Sequence, residues 1–335
     1  MSHEKAPAAG CGNPLLWAVH DGRIGIKNQV LGLTEALGLP FVEKCFRPRL
    51  PWSHVPPLLW PAFGRVGAPG SDALAPPWPD ILVTAGRIGA AAGIAVKRAN
   101  DGRTFLAQIQ DPRLGRRFFD LLVVPEHDRA RGPNVIVTRG AVHRVTPARL
   151  AEAGRRFAPA FAHLPRPRIA VLIGGRNRVY RFDLEKLAEI ADQLAALARR
   201  EGGSLLVTPS RRTGAAGERL LRDKLAGLPA YIWDGTGENP YFALLELGDA
   251  IIVTEDSISM VTEAASTGKP VHVVALAGGS RKFRDFYRLM QAHGVTRPFT
   301  GALESWRYEP PNDTAKAAAE LLRRLGAREP ARLAG

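Results

Sequence analysis

The sequence predicts an α/β protein made of two successive halves, each built on a parallel sheet. Three observations carry this. Short apolar runs, dense in Val, Ile, Leu and Ala, recur along the whole chain. Such runs fit strands buried on both faces. Stretches with helical spacing of apolar residues separate them, as crossover connections require. The rhythm then pauses at "HLPRPR" (163–168) and restarts, and 335 residues are more than one core usually holds.

In the first half, "LLWAV" (15–19) reads as a strand and "IKNQVLGLTEALG" (26–38) as the helix behind it. "PFVEKCF" (40–46) is a second strand and "DILVTAG" (80–86) a third, with a helix over "IGAAAGIAVKRAN" (88–100). "RTFLAQI" (103–109), "DLLVVP" (120–125) and "NVIVTRG" (134–140) are further strands. Between the second and third strands lies a Pro-rich, Trp-bearing insertion, residues 47–80. It is too long for an ordinary connection. It carries Trp52, Trp60, Trp78, Leu58, Leu59, Arg47, Arg49 and Arg65. Aromatic and basic residues together suit an anionic membrane interface; alternatively the tryptophans fold back onto the core.

The second half opens with "RIAVLIGG" (168–175), a strand ending in two glycines. Leu184, Leu187, Ile190, Leu194 and Leu197 mark a long amphipathic helix over 183–202. "SLLVTPS" (204–210), a helix over 216–227, "AYIWDG" (230–235), a short helix at "NPYFALLELG", and "AIIVTE" (250–255) follow. A helix over "SMVTEAASTG", a strand at "PVHVVAL" (270–276) and a closing helix over 313–326 complete the reading. The expected organisation is a disordered tail (1–13), an N-terminal domain (14–165) and a C-terminal domain (166–330) with a cleft between the domains.

Composition narrows the class. Lys and Arg number 46 against 32 acids, a net charge of +14, which favours anionic partners. Basic residues are dispersed and not interleaved with aromatics, so nucleic acid is disfavoured. Two cysteines give no disulfide framework or zinc spacing. With no signal-like start and no membrane-spanning run, the expectation is a cytoplasmic protein, with a peripheral place on the inner membrane face if the insertion binds lipid.

The segment "VTEDSISMVTEAASTGKPVHVV" (253–274) is the most informative. A strand empties into Asp256, Ser257 and Ser259, which open a helix. Ligands of open parallel sheets sit at that edge, and a helix N-terminus holds either a capping side chain or a phosphate. Gly268 and Pro270 then end the helix. "DSISMVTEAASTGKPV" resembles the nucleotide-sugar segment of GT-B glycosyltransferases and of UDP-N-acetylglucosamine 2-epimerases. That resemblance implies phosphate contacts at Ser257, Ser259 and Met260 and a ribose contact at Glu263. The usual loop glycines are replaced by Ile258 and Ser259.

From about residue 14 to 325 the chain also resembles the family of the plant mitochondrial-fission "elongated mitochondria" protein and its bacterial relatives. "HDGRIGIKNQVLGL", "IGGRNRVYRF", "TPSRRTG" and "GGSRKFRDFY" carry that likeness. The resemblance implies a GT-B-like fold, two Rossmann-like domains facing an interdomain cleft, and in its plant member a role in recruiting a dynamin-related protein.

Other candidates follow strand ends. Gly174, Gly175 and Arg176 would allow a phosphate to approach the backbone. Ser210, Arg211 and Arg212, and then Ser280, Arg281 and Lys282, would converge with Glu263. In the first half, Gly22 and Gly25 allow a tight turn beside His20 and Asp21. His20, Asp21 or His127 would act as a general base toward an acceptor hydroxyl; alternatively Asp21 caps the helix. No carboxylate or histidine cluster suggests a metal, and no cofactor is expected. The donor would be a nucleotide-sugar, such as a UDP-sugar, and the acceptor an envelope lipid or glycan. Rival readings are a sugar-nucleotide epimerase and a non-catalytic adaptor.

Overall fold

The computed structural model describes residues 13–333 apart from 53–54, 56–58 and 61–65, with side chains as far as Arg328. Leu58, Arg65 and nearly all of the expected tail lie outside the described residues. The chain forms two compact units, residues 1–144 with 312–335, and Val145–Pro311.

The first unit begins with β1 (Leu16–His20), α1 (Ile24–Ala36) and β2 (Phe41–Cys45). It continues with β3 (Ile81–Ala85), α2 (Gly86–Ala99), β4 (Phe105–Ile109), β5 (Leu121–Pro125) and β6 (Val135–Thr138). The strands form one sheet in the order β2-β1-β3-β4-β5-β6, and every pairing is parallel. The four central strands are buried along their whole length, which is why their sequences are apolar without alternation. Gly22, at φ +80°, turns the chain between β1 and α1, whereas Gly25 lies within the helix.

The second unit begins earlier than the sequence suggested, with α3 (Pro147–Phe161). It continues with β7 (Arg168–Ile173), β8 (Tyr180–Arg181), α4 (Leu184–Glu201), β9 (Ser204–Pro209), α5 (Gly214–Lys224) and β10 (Ala230–Ile232). Then come α6 (Tyr241–Leu247), β11 (Ala250–Thr254), α7 (Ile258–Ala265), β12 (Val271–Val274), β13 (Ala277–Gly278), α8 (Arg281–Ala292) and β14 (Thr296–Pro298). The main sheet has the order β10-β9-β7-β11-β12-β14, again wholly parallel. One core lies on its α3, α6, α7 and α8 side and another on its α4 and α5 side.

The final helix, α9 (Asp313–Leu333), returns to the first unit. Ala317, Ala318 and Leu321 enter the core beside α1, and Asp313 Oδ2 accepts the Gly140 N–H at 3.0 Å. The units therefore divide differently from the boundaries 14–165 and 166–330. The apolar face of α3 is spent on the second core (Leu150, Phe157 and Phe161), so "HLPRPR" is an internal turn of that unit.

In the insertion the tryptophans take the second of the two expected courses and fold back onto the core. Trp60 is buried with Phe46, Val66 and Leu74 on the first sheet, and Trp52 and Trp78 pack against the same cluster. An indole that fills a core gap is not offered to lipid. Among the described residues no helix is long and apolar enough to cross a membrane.

Candidate functional site

The strands of the second unit, taken in chain order, lie as 3-2-1-4-5-6 across the sheet. Connections leave in opposite directions from β7 and β11, and the crevice between their carboxyl ends is where open α/β sheets take ligands. Four loops from adjacent strands meet there: Gly174–Val179 after β7, Ser210–Thr213 after β9, Glu255–Ser257 after β11, and Ala275–Ser280 after β12.

Asp256 holds the crevice together. Its carboxylate is buried, and Oδ1 accepts the Thr254 hydroxyl at 2.7 Å. Oδ2 accepts the Gly175 N–H at 3.1 Å and lies 2.6 Å from Arg212 Nη2. Arg212 also donates to the Gly175 carbonyl at 2.8 Å, and Asn177 Nδ2 donates to the Asp256 carbonyl at 3.1 Å. A buried carboxylate is tolerated because both oxygens are occupied and one partner is a cation.

The two glycines serve this packing. A Cβ on Gly174 would lie 2.1 Å from Asp256 Oδ1, and one on Gly175 would lie 2.3 Å from the Arg212 carbonyl carbon. The close approach expected here is thus made by the protein's own β9 and β11 loops.

Beside this knot is a cavity of about 790 Å³. Gly175, Arg176, Arg178, Tyr180, Arg181 and Arg212 line it, with Asp183 and Thr213. Burial and the negative charges of Glu255 and Asp256 push the Tyr180 phenol well above its ordinary range, so it stays a hydroxyl donor. The short β8–β13 pairing closes one side, with Gly278 so tight against Val179 that a Cβ would sit 2.4 Å from its carbonyl oxygen.

Ser257, Ser259, Met260 and Glu263 sit on the other flank of Asp256 and do not line the cavity. Ser257 is the N-cap of α7 and accepts the Met260 N–H at 3.3 Å, so capping chemistry occupies both. Ser259 follows in the first turn. Glu263 is buried on α7 and accepts the Tyr241 hydroxyl at 2.5 Å. Burial raises its carboxyl to about 7 against the opposing pull of Tyr241. Glu255 accepts the Leu276 N–H at 2.6 Å; burial raises its carboxyl as well.

Ser210 accepts the Arg212 N–H at 3.2 Å, and Arg211 is exposed beside it. Ser280 is the N-cap of α8 without a side-chain cap; Arg281 lies 3.6 Å from Asp285 one turn on, and Lys282 follows. The sequence reading gave Thr254, Asn177, Tyr180 and Thr213 no part. Their signal was weak, because each acts by bridging loops far apart in sequence.

In the first unit, His20 ends β1 and is buried. Its Nδ1 accepts the Gly22 N–H at 3.0 Å, so Nε2 carries the proton and donates to Glu43 at 2.9 Å. Lys27 also reaches Glu43. Asp21 accepts the Arg23 N–H at 3.1 Å and its Nε at 2.8 Å, closing the turn before α1, whose N-cap is Arg23. His127 lies in the turn after β5, at the same sheet edge but three strand spacings, about 14 Å, from β1. The edge therefore does not bring His20 and Asp21 together with His127.

The family model for Mitochondrial fission ELM1 matches residues 24–325. The Mitochondrial fission protein ELM1 of Arabidopsis thaliana is 34% identical over 277 residues, covering 75% of this chain and 65% of that protein. The chain thus spans about two thirds of that relative's length. Two solved structures share the fold. One is the UDP-GlcNAc 2-epimerase of Methanocaldococcus jannaschii in complex with UDP-GlcNAc and UDP (TM-score 0.58, 13% identity, 93% of this chain and 99% of that one). The other is the glycosyltransferase SnogD of Streptomyces nogalater (TM-score 0.54, 16% identity, 97% and 100%). Two parallel α/β units in this order are the GT-B architecture, and the chain belongs to the mitochondrial fission ELM1 family.

Proposed function

We propose that the second unit binds a nucleotide-sugar and that the protein transfers the sugar in the manner of metal-independent GT-B enzymes. The observation that carries this is the crevice between β7 and β11. It holds a basic cavity of about 790 Å³, within the size range of small-ligand sites, and the start of α7 lies across Asp256 from it. Arg176, Arg178 and Arg212 would take the diphosphate as fork donors. The α7 N-terminus adds the positive end of a helix dipole. Glu263 would reach the ribose with the oxygen that Tyr241 does not hold. Departure of the diphosphate would be assisted by positioning and by these fixed charges. The first unit would hold the acceptor; His20, with both nitrogens engaged, and Asp21, with both oxygens held by Arg23, would position the β1 turn beside it.

The test is a binding and product screen with UDP-, GDP-, CMP- and ADP-sugars. Saturable binding of one class, with slow release of free sugar, supports the transferase. A nucleotide-linked sugar altered at one carbon would replace it with an epimerase. Binding without turnover would leave an adaptor that kept the site.

A further inference from the structure

The Tyr180 hydroxyl is a buried donor that the fold leaves unspent. Two tyrosines of the second unit are buried, Tyr287 at 8% exposure and Tyr180 at 4%. Tyr287 donates to the Glu255 carbonyl at 2.5 Å. The Tyr180 hydroxyl has no hydrogen-bond partner among the described residues. Nor is its oxygen sealed off, and Tyr180 lines the cavity beside the Asp256 knot. A buried O–H without a partner is costly, so its presence calls for an acceptor from outside the chain.

Everything else about the residue is fixed. Asn177 Oδ1 accepts the Tyr180 N–H at 2.9 Å, and Asn177 Nδ2 donates to the Asp256 carbonyl. The ring meets Phe283 edge to face, with centroids 5.1 Å apart. Gly279, at φ +98°, makes room for it: a Cβ there would lie 3.3 Å from Tyr180 Oη and 3.4 Å from Cε1. A phenylalanine would fill the same space, so packing does not account for the hydroxyl.

A second set of donors opens beside it. Ser280 follows Gly279 and is the N-cap of α8, yet its side chain accepts no N–H of the first turn. At α7 the equivalent Ser257 does cap, accepting the Met260 N–H. Serine is a strong N-cap, and where it stays unspent the first N–H groups of the helix keep their capacity for an anion. Arg284 lies one turn on. Asp285 draws Arg281 at 3.6 Å and Arg288 at 3.8 Å, while Arg284 forms no ion pair among the described residues. After burial, the groups that act on the Tyr180 phenol are Glu255, Asp256 and Arg284. Both acids are engaged: Asp256 faces Arg212 with no exposed side chain, and Glu255 accepts the Leu276 N–H. What remains is an array of donors with one cation. A sugar's hydroxyls need acceptors as well, whereas an oxyanion needs donors alone.

We propose that the Tyr180 hydroxyl and the start of α8 hold a phosphate oxygen of the ligand, with Arg284 beside it. Tyr180 is then a ligand-contacting residue, and α8 supplies a second helix start to the crevice. The oxyanion site stands on this geometry alone; that its phosphate belongs to a nucleotide-sugar rests on the reading above.

The experiment is titration calorimetry of the full chain with inorganic pyrophosphate and with UDP-GlcNAc, using wild type, Tyr180→Phe and Ser280→Ala, with a melting curve for each protein. Tyr180→Phe removes one hydroxyl and keeps the ring. It should weaken pyrophosphate about tenfold or more, the scale of a hydrogen bond to a charged group. It should melt at or above wild type, because no bond within the protein is lost. Ser280→Ala should weaken pyrophosphate too, again without a lower melting temperature. A hydroxyl that serves only structure shows the reverse, as Tyr287→Phe should: a lower melting temperature, since that hydroxyl is spent on Glu255. Wild type that does not bind pyrophosphate, or Tyr180→Phe that binds it as tightly as wild type, would overturn the proposal. Pyrophosphate binding that Tyr180→Phe weakens, with no UDP-GlcNAc or other nucleotide-sugar bound, keeps the oxyanion site and removes the nucleotide-sugar reading. Nucleotide-sugar binding that Tyr180→Phe leaves intact removes this proposal alone.

Discussion

Glu263 and Asp256 are both buried carboxyls seven residues apart, and the structure treats them oppositely. Asp256 faces a guanidinium and a backbone N–H; Glu263 faces one phenol. Burial therefore dominates at Glu263 and lifts its carboxyl from 4.5 to about 7. The folded protein then holds this proton more tightly than the unfolded chain. The associated stability is complete below about pH 4.5 and is lost as pH rises through about 7. Between pH 5 and 8, wild type should lose roughly 2 to 3 kcal/mol relative to Glu263→Gln, as read from paired urea denaturations. Parallel curves would show that the site does not carry this proton. For Asp256 the expectation is different. Asp256→Ala strands the Arg212 charge and the Gly175 N–H, and should cost about 3 kcal/mol at neutral pH. A loss under 1 kcal/mol would mean that the loops are pinned elsewhere. At this scale the sequence was legible only in part. "EDSIS" displays the acids, but which is paired and which is isolated depends on residues about 80, 40 and 20 positions away.

At the scale of elements, strands and crossover helices were legible because a parallel sheet buried on both faces needs continuous apolar runs. Two helices escaped. In α3 the apolar positions are diluted by alanine and arginine, leaving Thr146 and Pro147 as its start signals. In α8 the stripe Phe283, Phe286, Tyr287 and Met290 has helical spacing, but the Gly, Ser and basic residues at its head read as a ligand loop. The glycine pair after β7 was visible, whereas its cause was not. Gly174→Ala should destabilise by about 3 kcal/mol or more, through overlap with Asp256 that only a displaced loop relieves. Near-wild-type melting of Gly174→Ala would contradict this packing and return the glycine to a ligand-facing role. Trp60 belongs here too. Trp60→Ala should lower stability by about 3 kcal/mol, as core tryptophans do. If that variant melted as wild type yet lost vesicle binding, the indole would be a membrane anchor after all.

For the whole molecule, the sequence supplied two parallel α/β halves and the ELM1 likeness, but not where the units divide. The return of α9 to the first sheet is a long-range packing event that no local pattern announces. Fold alone does not assign an activity, since epimerases and transferases share this architecture. What distinguishes a nucleotide-sugar protein is that its phosphate arginines and its helix start serve one ligand. The most direct measurement is calorimetry of UDP-GlcNAc and related nucleotide-sugars against wild type and Arg176→Ala, Arg178→Ala. The account predicts saturable binding to wild type. In the double variant it predicts a loss of about tenfold to a hundredfold for the nucleoside diphosphate and little change for the bare nucleoside. Absence of binding by every nucleotide-sugar tested, or equal losses for both ligands, would contradict it.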